Sequence, residues 1–150
     1  MSKFCGAHRA PRAGVDVIDH ASAALAVVQV ALSPSPVDET IVLVLDDEHR
    51  GRSVVIVDGT VDPDAVLEVV ERLAESIAAA GVAGALVVAT VRPGGGPLPA
   101  DADRWLEASE LAEQAGIELL EWFVISDVGH PATAWCPRDL LAEPPRWRSR

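Results

Sequence analysis

The feature that most constrains the fold is an unbroken apolar run, ALVVA at residues 85–89, which lies between two amphipathic segments. A continuous apolar run of this length is typical of a central strand that is buried on both faces of a sheet. Helices must then cover both faces, because the run would otherwise be exposed to water. The run therefore predicts an α/β domain with a core on each side of a sheet.

Segments upstream of this run predict the first elements of the fold. Residues 21–32 are rich in alanine and predict a helix, which the Ser-Pro-Ser-Pro segment at 33–36 ends. Residues 41–45 and 53–57 are short β-branched runs around a polar turn, which is typical of an antiparallel hairpin. The fold is thus expected to begin with a helix and a hairpin.

Two amphipathic segments predict helices that cover the sheet. The first begins at Asp62, whose side chain is expected to cap it, and stops at Gly81. The second occupies residues 100–115 and stops at Gly116. The positions expected to face the core are Val66, Val69, Val70, Leu73, Ile77 and Ala80 in the first helix and Trp105, Leu106, Leu111 and Ala112 in the second.

The last elements complete the predicted architecture. Residues 117–125 predict a strand, and residues 132–136 predict a short edge strand. Alternation of strands and helices after a hairpin predicts an α/β fold with a mixed β-sheet flanked by helices. We divide the chain into a flexible N-terminal arm at 1–14, a single domain at 15–142 and an Arg- and Pro-rich tail at 143–150, and we expect Trp147 in that tail to be exposed.

Charge and cysteine content narrow the classes of partner and location. The chain carries 12 basic and 23 acidic residues, a net charge of -11, which repels phosphate backbones and anionic membranes. No apolar run in the sequence reaches the roughly 20 residues of a membrane span. Two cysteines, Cys5 and Cys136, do not predict a disulfide framework. We expect a cytoplasmic protein that binds neither nucleic acid nor membrane directly.

The segment between the buried strand and the last helix carries the motif that bears on function. It reads TVRPGGGPLPADAD from Thr90 to Asp103. Loops at this position of α/β sheets commonly hold active sites. The segment resembles the metal-binding motif of RadC-like proteins of the JAB/MPN (JAMM) domain family, His-x-His-Pro-Ser-Gly followed by Pro-Ser-x-x-Asp. With the segment GIELLEWFVI at 116–125, the resemblance extends over about residues 38–126.

The motif aligns with this chain without a gap, but its histidines are missing. The two histidines of the family fall on Thr90 and Arg92. The serine falls on Ala100 and the aspartate ligand on Asp103. We take as a remnant pocket the positions Thr90, Arg92, Pro93, Gly95, Ala100 and Asp103.

The resemblance implies a cytidine-deaminase-like three-layer domain and a zinc site that this chain has lost. Intact members hold zinc with two histidines and an aspartate, use an upstream glutamate as base and use the serine to stabilise the oxyanion. A catalytic zinc needs about three protein ligands, and only Asp103 is kept here, so we expect no metal cofactor. We expect Arg92 to occupy the place of the cation and to pair with Asp103. Asp38 and Glu39 stand where the upstream glutamate would be sought, without either being assigned.

These expectations favour a non-catalytic pseudoenzyme that acts by binding a protein, which could be a second copy of the chain, or a small ligand. Two alternatives remain. One is a hydrolase with relocated catalytic groups that uses Asp103. The other is a DNA-repair-associated accessory protein, which the resemblance alone suggests and which the net charge of -11 opposes.

Overall fold

The computed structural model describes residues 10–35, 37–82, 84–126 and 133–147. These residues form an α/β fold with a five-stranded mixed sheet and three α-helices, which confirms the predicted class. In chain order the elements are α1 (Ala21–Ala31), β1 (Glu39–Asp46), β2 (Gly51–Asp58), α2 (Ala65–Ala79), β3 (Gly84–Val91), α3 (Asp101–Gln114), β4 (Glu118–Ser126), β5 (Thr133–Trp135) and a 3₁₀ helix (Pro137–Leu141).

The strand order of the sheet is β2-β1-β3-β4-β5. β1 is antiparallel to both of its neighbours, β3 and β4 are parallel, and β5 is antiparallel to β4. β3 therefore lies in the centre, as its continuous apolar run predicts. Because parallel strands need a crossover connection, α3 links β3 to β4. This connection places the start of α3 near the carboxyl end of β3.

Alternate residues of the strands face two separate cores, which makes the fold three-layered. α1 packs on one face, where Leu25 and Val28 are buried with residues of β1 and β3. α2 and α3 pack on the other face, where the fully buried Trp105 and Trp122 are the largest side chains. Burial of one large apolar side chain stabilises a fold by about 1.5–3 kcal/mol, so both layers contribute substantially.

Helices α2 and α3 end where their glycines predict, but the start of α2 differs from the prediction. Gly81 and Gly116 have φ values of 72° and 78°, in the left-handed region that favours glycine. The Asp62 carboxylate accepts the backbone N–H of Asp64 at 2.9 Å, in the turn before the helix. Asp62 thus shapes the approach to α2 and does not cap its first turn.

Most positions expected to face the core do so, with two exceptions. Trp105 and Ala112 of α3 are fully buried as predicted. Leu106 is 48% exposed, because successive helical residues are rotated by about 100° and its neighbour Trp105 takes the inward direction. Ala80 is also exposed, since it lies after the last residue of α2.

The part of the predicted C-terminal tail that the structure describes, residues 143–147, packs on the domain. The Arg146 guanidinium lies 4.1 Å from the ring centroid of Trp105 and donates to the Leu119 carbonyl at 3.0 Å. Trp105 donates its indole N–H to a Glu143 carboxylate oxygen at 3.1 Å. The expectation that Trp147 is exposed is wrong: it is half-buried against the α1 core. Aromatic and ionic contacts that are distant in sequence hold the segment in place.

The N-terminal arm predicted at 1–14 is described from residue 10 onward, and Cys5 lies outside the described residues. The Gly14 N–H donates to the Gly51 carbonyl at 2.9 Å, so the end of the arm contacts the first residue of β2. Among the helices described, none has the length and apolar character that crossing a membrane requires.

Candidate functional site

The candidate site lies in the loop that joins β3 to α3, residues 92–100. Thr90 is directly opposite Thr40 of β1, and both lie on the face of the sheet that α2 and α3 cover, because the neighbouring Val42 and Val88 belong to that core. Arg92 follows two residues later on the same face. The end of β3 and the start of α3 therefore lie close together.

Thr90 is bound into the core by its hydroxyl group. Its side chain is buried, and its Oγ1 accepts the indole N–H of Trp122 at 2.9 Å. Because an unpaired buried indole N–H costs about 1–3 kcal/mol, this contact has a structural value that is independent of any ligand. The position aligned with the first histidine is therefore occupied by a residue that accepts the hydrogen bond of a buried tryptophan.

Arg92 forms the central contact of the loop. Its Nη1 and Nη2 donate to the two carboxylate oxygens of Asp101, at 2.6 and 2.8 Å. Nη1 also lies 3.2 Å from the Gly96 carbonyl, and the guanidinium lies 5.8 Å from the ring centroid of Trp122. A bidentate arginine–carboxylate pair is among the stronger hydrogen-bonded contacts in proteins, and its planar geometry fixes both groups. The arginine thus ties the loop to both β4 and α3.

Asp101, the first residue of α3, is fully buried and accepts four hydrogen bonds. Besides the two from Arg92, its Oδ2 accepts the Leu98 N–H at 2.7 Å and its Oδ1 accepts Arg104 Nη1 at 2.9 Å. Burial raises the pKa of Asp101, but the hydrogen bonds from Arg92 and Leu98 and the charge of Arg92 outweigh it, so the pKa lies below its usual value. The carboxylate is ionised, and each of its oxygens has two donors.

Arg104 extends this network to α2. Its Nε donates to the Asp64 carboxylate at 2.8 Å, while its Nη1 contacts Asp101. The resulting chain of charges, which we call the loop network, runs from Arg92 through Asp101 and Arg104 to Asp64. It joins the β3–α3 loop to the beginnings of both helices on this face of the sheet.

The predicted pairing of Arg92 with Asp103 is wrong, because Arg92 pairs with Asp101. Residues two apart on a helix are separated by about 200° around its axis, so Asp101 and Asp103 cannot both face the loop. The burial of Trp105 sets the rotation of α3, which turns Asp101 inward and leaves Asp103 exposed. The spacing Asp101-x-x-Arg104, which places both residues on one helix face, is the sequence signal for the observed network.

The other residues of the remnant pocket have different surroundings. Pro93 and Gly95 are half-buried, and the Gly95 N–H closes a turn onto the Arg92 carbonyl at 3.0 Å. Ala100 is exposed at the residue before α3. The structure therefore brings Thr90, Arg92 and the glycine turn together, whereas Ala100 and Asp103 face solvent.

The two upstream acids do not supply a base to this site. Glu39 is buried, and its carboxylate accepts the N–H and the hydroxyl of Ser33, at 3.1 and 3.0 Å, on the α1 side of the sheet. Because it precedes Thr40 in β1, Glu39 faces away from Thr90. Asp38 is half-buried just before β1, and its carbonyl accepts the Gly59 N–H. No group of three or more His, Cys, Asp or Glu that could hold a metal ion occurs within the described ranges.

A second buried ion pair lies on the opposite face of the sheet. Glu121 is fully buried, and Arg138 Nε lies 2.9 Å from each of its carboxylate oxygens. Burial raises the pKa of Glu121 despite this arginine. Burial, with the nearby charge of Glu121, also raises the pKa of Cys136 to about 12. These contacts attach the 3₁₀ helix to β4 and keep the Cys136 thiol protonated.

Comparison of the chain with protein-family models finds no match, and comparison with curated proteins finds none either.

Proposed function

We propose that this chain is a non-catalytic domain of the RadC-like JAB/MPN type, whose metal site is replaced by an internal ion pair and which acts by binding a protein. The proposal is supported by the gap-free motif from Thr90 to Asp103 and by the three-layer α/β arrangement. The order of hairpin, helix, strand, loop, helix and strand agrees with the family order that the motif implies. The cytoplasmic location is part of the same proposal.

One observation carries the proposal: the guanidinium of Arg92 and the carboxylate of Asp101 neutralise each other inside the loop. A zinc site needs ligands with free lone pairs, and a permanent guanidinium charge within a few ångströms repels a divalent cation. Both oxygens of Asp101 already accept two hydrogen bonds each. Binding zinc at this place would require the buried pair to separate, at a cost of about 3–5 kcal/mol.

The same network favours binding of a protein over binding of a small ligand. Its charged groups are used internally, whereas the outer side of the loop exposes Gly94, Pro97, Pro99 and Ala100. A loop held by several charge-assisted hydrogen bonds keeps one conformation, so it loses little conformational entropy when a partner binds. The outer surface of the loop is therefore the contact surface that we assign to this function.

Zinc binding tests the proposal. After equilibration with zinc and removal of excess metal, the purified protein is expected to contain far less than one zinc per chain by elemental analysis. The double variant Thr90→His, Arg92→His is expected to gain measurable zinc affinity, since it removes the guanidinium and adds two imidazoles at the strand end that the Asp101 carboxylate faces. A matched control adds Asp101→Asn to the double variant and should remove that affinity. Stoichiometric zinc in the unaltered protein would overturn the proposal, and a double variant that folds without binding zinc would contradict the assignment of Thr90 and Arg92 to the former metal site.

A further inference from the structure

β2 forms an edge of the sheet, and the irregularity in its pairing with β1 is confined to its first residues, between Gly51 and Ser53. Its eight residues, Gly51–Asp58, include neither proline nor lysine. Val54 and Ile56 are 43% and 47% exposed. Among the described residues, the arm lies beside the beginning of this strand: the Gly14 N–H donates to the Gly51 carbonyl, and residues 11–13 line a cavity together with residues 51–54. Edge strands with unpaired backbone groups and exposed apolar side chains pair readily with another strand.

The backbone of β2 is oriented for such pairing. The Gly59 N–H donates to the Asp38 carbonyl at 2.8 Å, which identifies Gly59 and Asp38 as a hydrogen-bonded antiparallel pair. Because such pairs alternate along the ladder, Val55 and Val57 direct their N–H and C=O groups to β1. The N–H and C=O groups of Val54, Ile56 and Asp58 therefore point outward, and they are the groups that a further strand would use.

The side chains on one face of β2 form a sequence of charges and apolar groups that is complementary to the same sequence in reverse order. Val55 and Val57 pack toward the α2 core, so Val54, Ile56 and Asp58 lie on the α1 face. Arg52 lies on this face too, because it precedes Val54 by two residues and Ser53 between them is paired with Val44 of the α2 core. The face thus carries a cation at one end, an anion at the other and two apolar residues between them. Neither Arg52 nor Asp58 forms an ion pair with another described residue.

We propose that β2 pairs with β2 of a second copy of this chain, antiparallel about a twofold axis at Val55. This register places Arg52 opposite Asp58 of the other copy and Val54 opposite Ile56, and each such match occurs twice. An axis at Val54 or at Ile56 would place an apolar residue opposite a charged one. The register at Val55 also forms its hydrogen bonds through the outward groups of Val54, Ile56 and Asp58. The result is a continuous ten-stranded sheet.

A second copy fits this edge better than a different partner does. A twofold interface requires a surface that complements itself, and the order Arg52, Val54, Ile56, Asp58 has that property about Val55. The inference is independent of the proposed function, because β2 lies at the edge of the sheet and contributes no residue to the loop network. A dimer that binds zinc would contradict only the earlier proposal, and a zinc-free monomer only this one.

Charge exchange tests the interface. The dissociation constant of the dimer is measured by sedimentation equilibrium for the unaltered protein and for Arg52→Asp and Asp58→Arg. Each variant places like charges opposite one another at two positions, so each is expected to weaken the dimer by about tenfold or more. A mixture of the two variants restores both opposite-charge pairs and should dimerise with an affinity close to that of the unaltered protein. Arg72→Asp, at an exposed site on α2, is the matched control and should change nothing.

Cross-linking tests the register. Val55→Cys places two thiols directly across the axis, at a non-hydrogen-bonded pair whose Cα atoms are about 4.5 Å apart, which a disulfide can bridge. This variant is expected to form a covalent dimer on mild oxidation. Ser53→Cys alone should not, because its opposite residue is Val57, whereas a mixture of Ser53→Cys and Val57→Cys should. A monomer at all concentrations overturns the inference, as does a dimer that the charge variants and their mixture leave unchanged.

Discussion

Replacement of Arg92 by methionine removes the cation from the loop network while keeping an unbranched side chain of similar length. It leaves the fully buried Asp101 carboxylate with two of its four donors, the Leu98 N–H and Arg104. It also removes the contact of the guanidinium with Trp122. The free energy of unfolding should fall, because an ionised group then stays buried without its closest counter-ion.

The magnitude follows from what remains at Asp101. Breaking a buried ion pair by removing one partner costs about 3–5 kcal/mol, and the two retained donors place this case near the lower limit, at about 3 kcal/mol. For a domain of this size, 1 kcal/mol corresponds to about 2–4 °C in melting temperature. We therefore expect Arg92→Met to melt about 6–12 °C below the unaltered protein.

Urea unfolding followed by circular dichroism measures this change, and a double-mutant cycle assigns it. Arg92→Met, Asp101→Asn and the double variant should give a coupling energy of about 2 kcal/mol, since residues in one buried network are not additive. Asp103→Asn is the matched control and should cost less than about 0.5 kcal/mol, because Asp103 is exposed. A loss below about 1 kcal/mol for Arg92→Met, or a coupling to Asp103 in place of Asp101, would refute the assignment.

The pKa of Asp101 adds a pH dependence to the same experiment. Its folded-state pKa lies below the ordinary value, so its contribution to stability is present above about pH 4 and is lost as the pH falls through the folded-state pKa. The stability difference between the unaltered protein and Asp101→Asn should therefore be full at neutral pH and shrink in acid. A difference that grows as the pH falls would have the wrong sign.

Three further predictions test the packing around the site. Gly84→Ala should destabilise the fold by about 3 kcal/mol in urea unfolding, because the added Cβ would collide with the Leu45 carbonyl. An unchanged midpoint of the urea unfolding curve would contradict the sheet register. Burial and the charge of Glu121 raise the pKa of the Cys136 thiol to about 12, so alkylation at pH 8 should be about a thousandfold slower in the native than in the unfolded protein. Peptide mass spectrometry measures both rates, and equal rates would contradict the burial of the thiol. Arg146→Ala should lower the free energy of unfolding by about 1–2 kcal/mol and accelerate proteolysis after residue 142. A variant that resists proteolysis as well as the unaltered protein does would refute the C-terminal contacts.

The sequence predicts the strands and helices well, because their signals are local. The continuous run at 85–89 corresponds to the central strand β3, and Gly81 and Gly116 mark the ends of α2 and α3. Apolar periodicity and helix-ending glycines act over a few residues, so neighbouring residues suffice to predict them.

The partners of the charged residues were not predictable in the same way. Whether Arg92 meets Asp101 or Asp103 depends on the rotation of α3 about its axis, which the packing of Trp105 on the sheet sets. The C-terminal segment looks like a tail by composition, yet Arg146 holds it through a contact with Trp105, more than 40 residues earlier in the chain. Contacts between residues distant in sequence decided both cases, and neither periodicity nor composition reports them.

A crystal structure of the protein grown with zinc, with diffraction data collected at the zinc absorption edge, tests most directly whether an ion pair replaces the metal site. The proposed function predicts electron density for the bidentate pair of Arg92 and Asp101 and no anomalous peak beside Thr90. An anomalous peak within about 2.3 Å of donor atoms in this loop, with Arg92 displaced from Asp101, would contradict it.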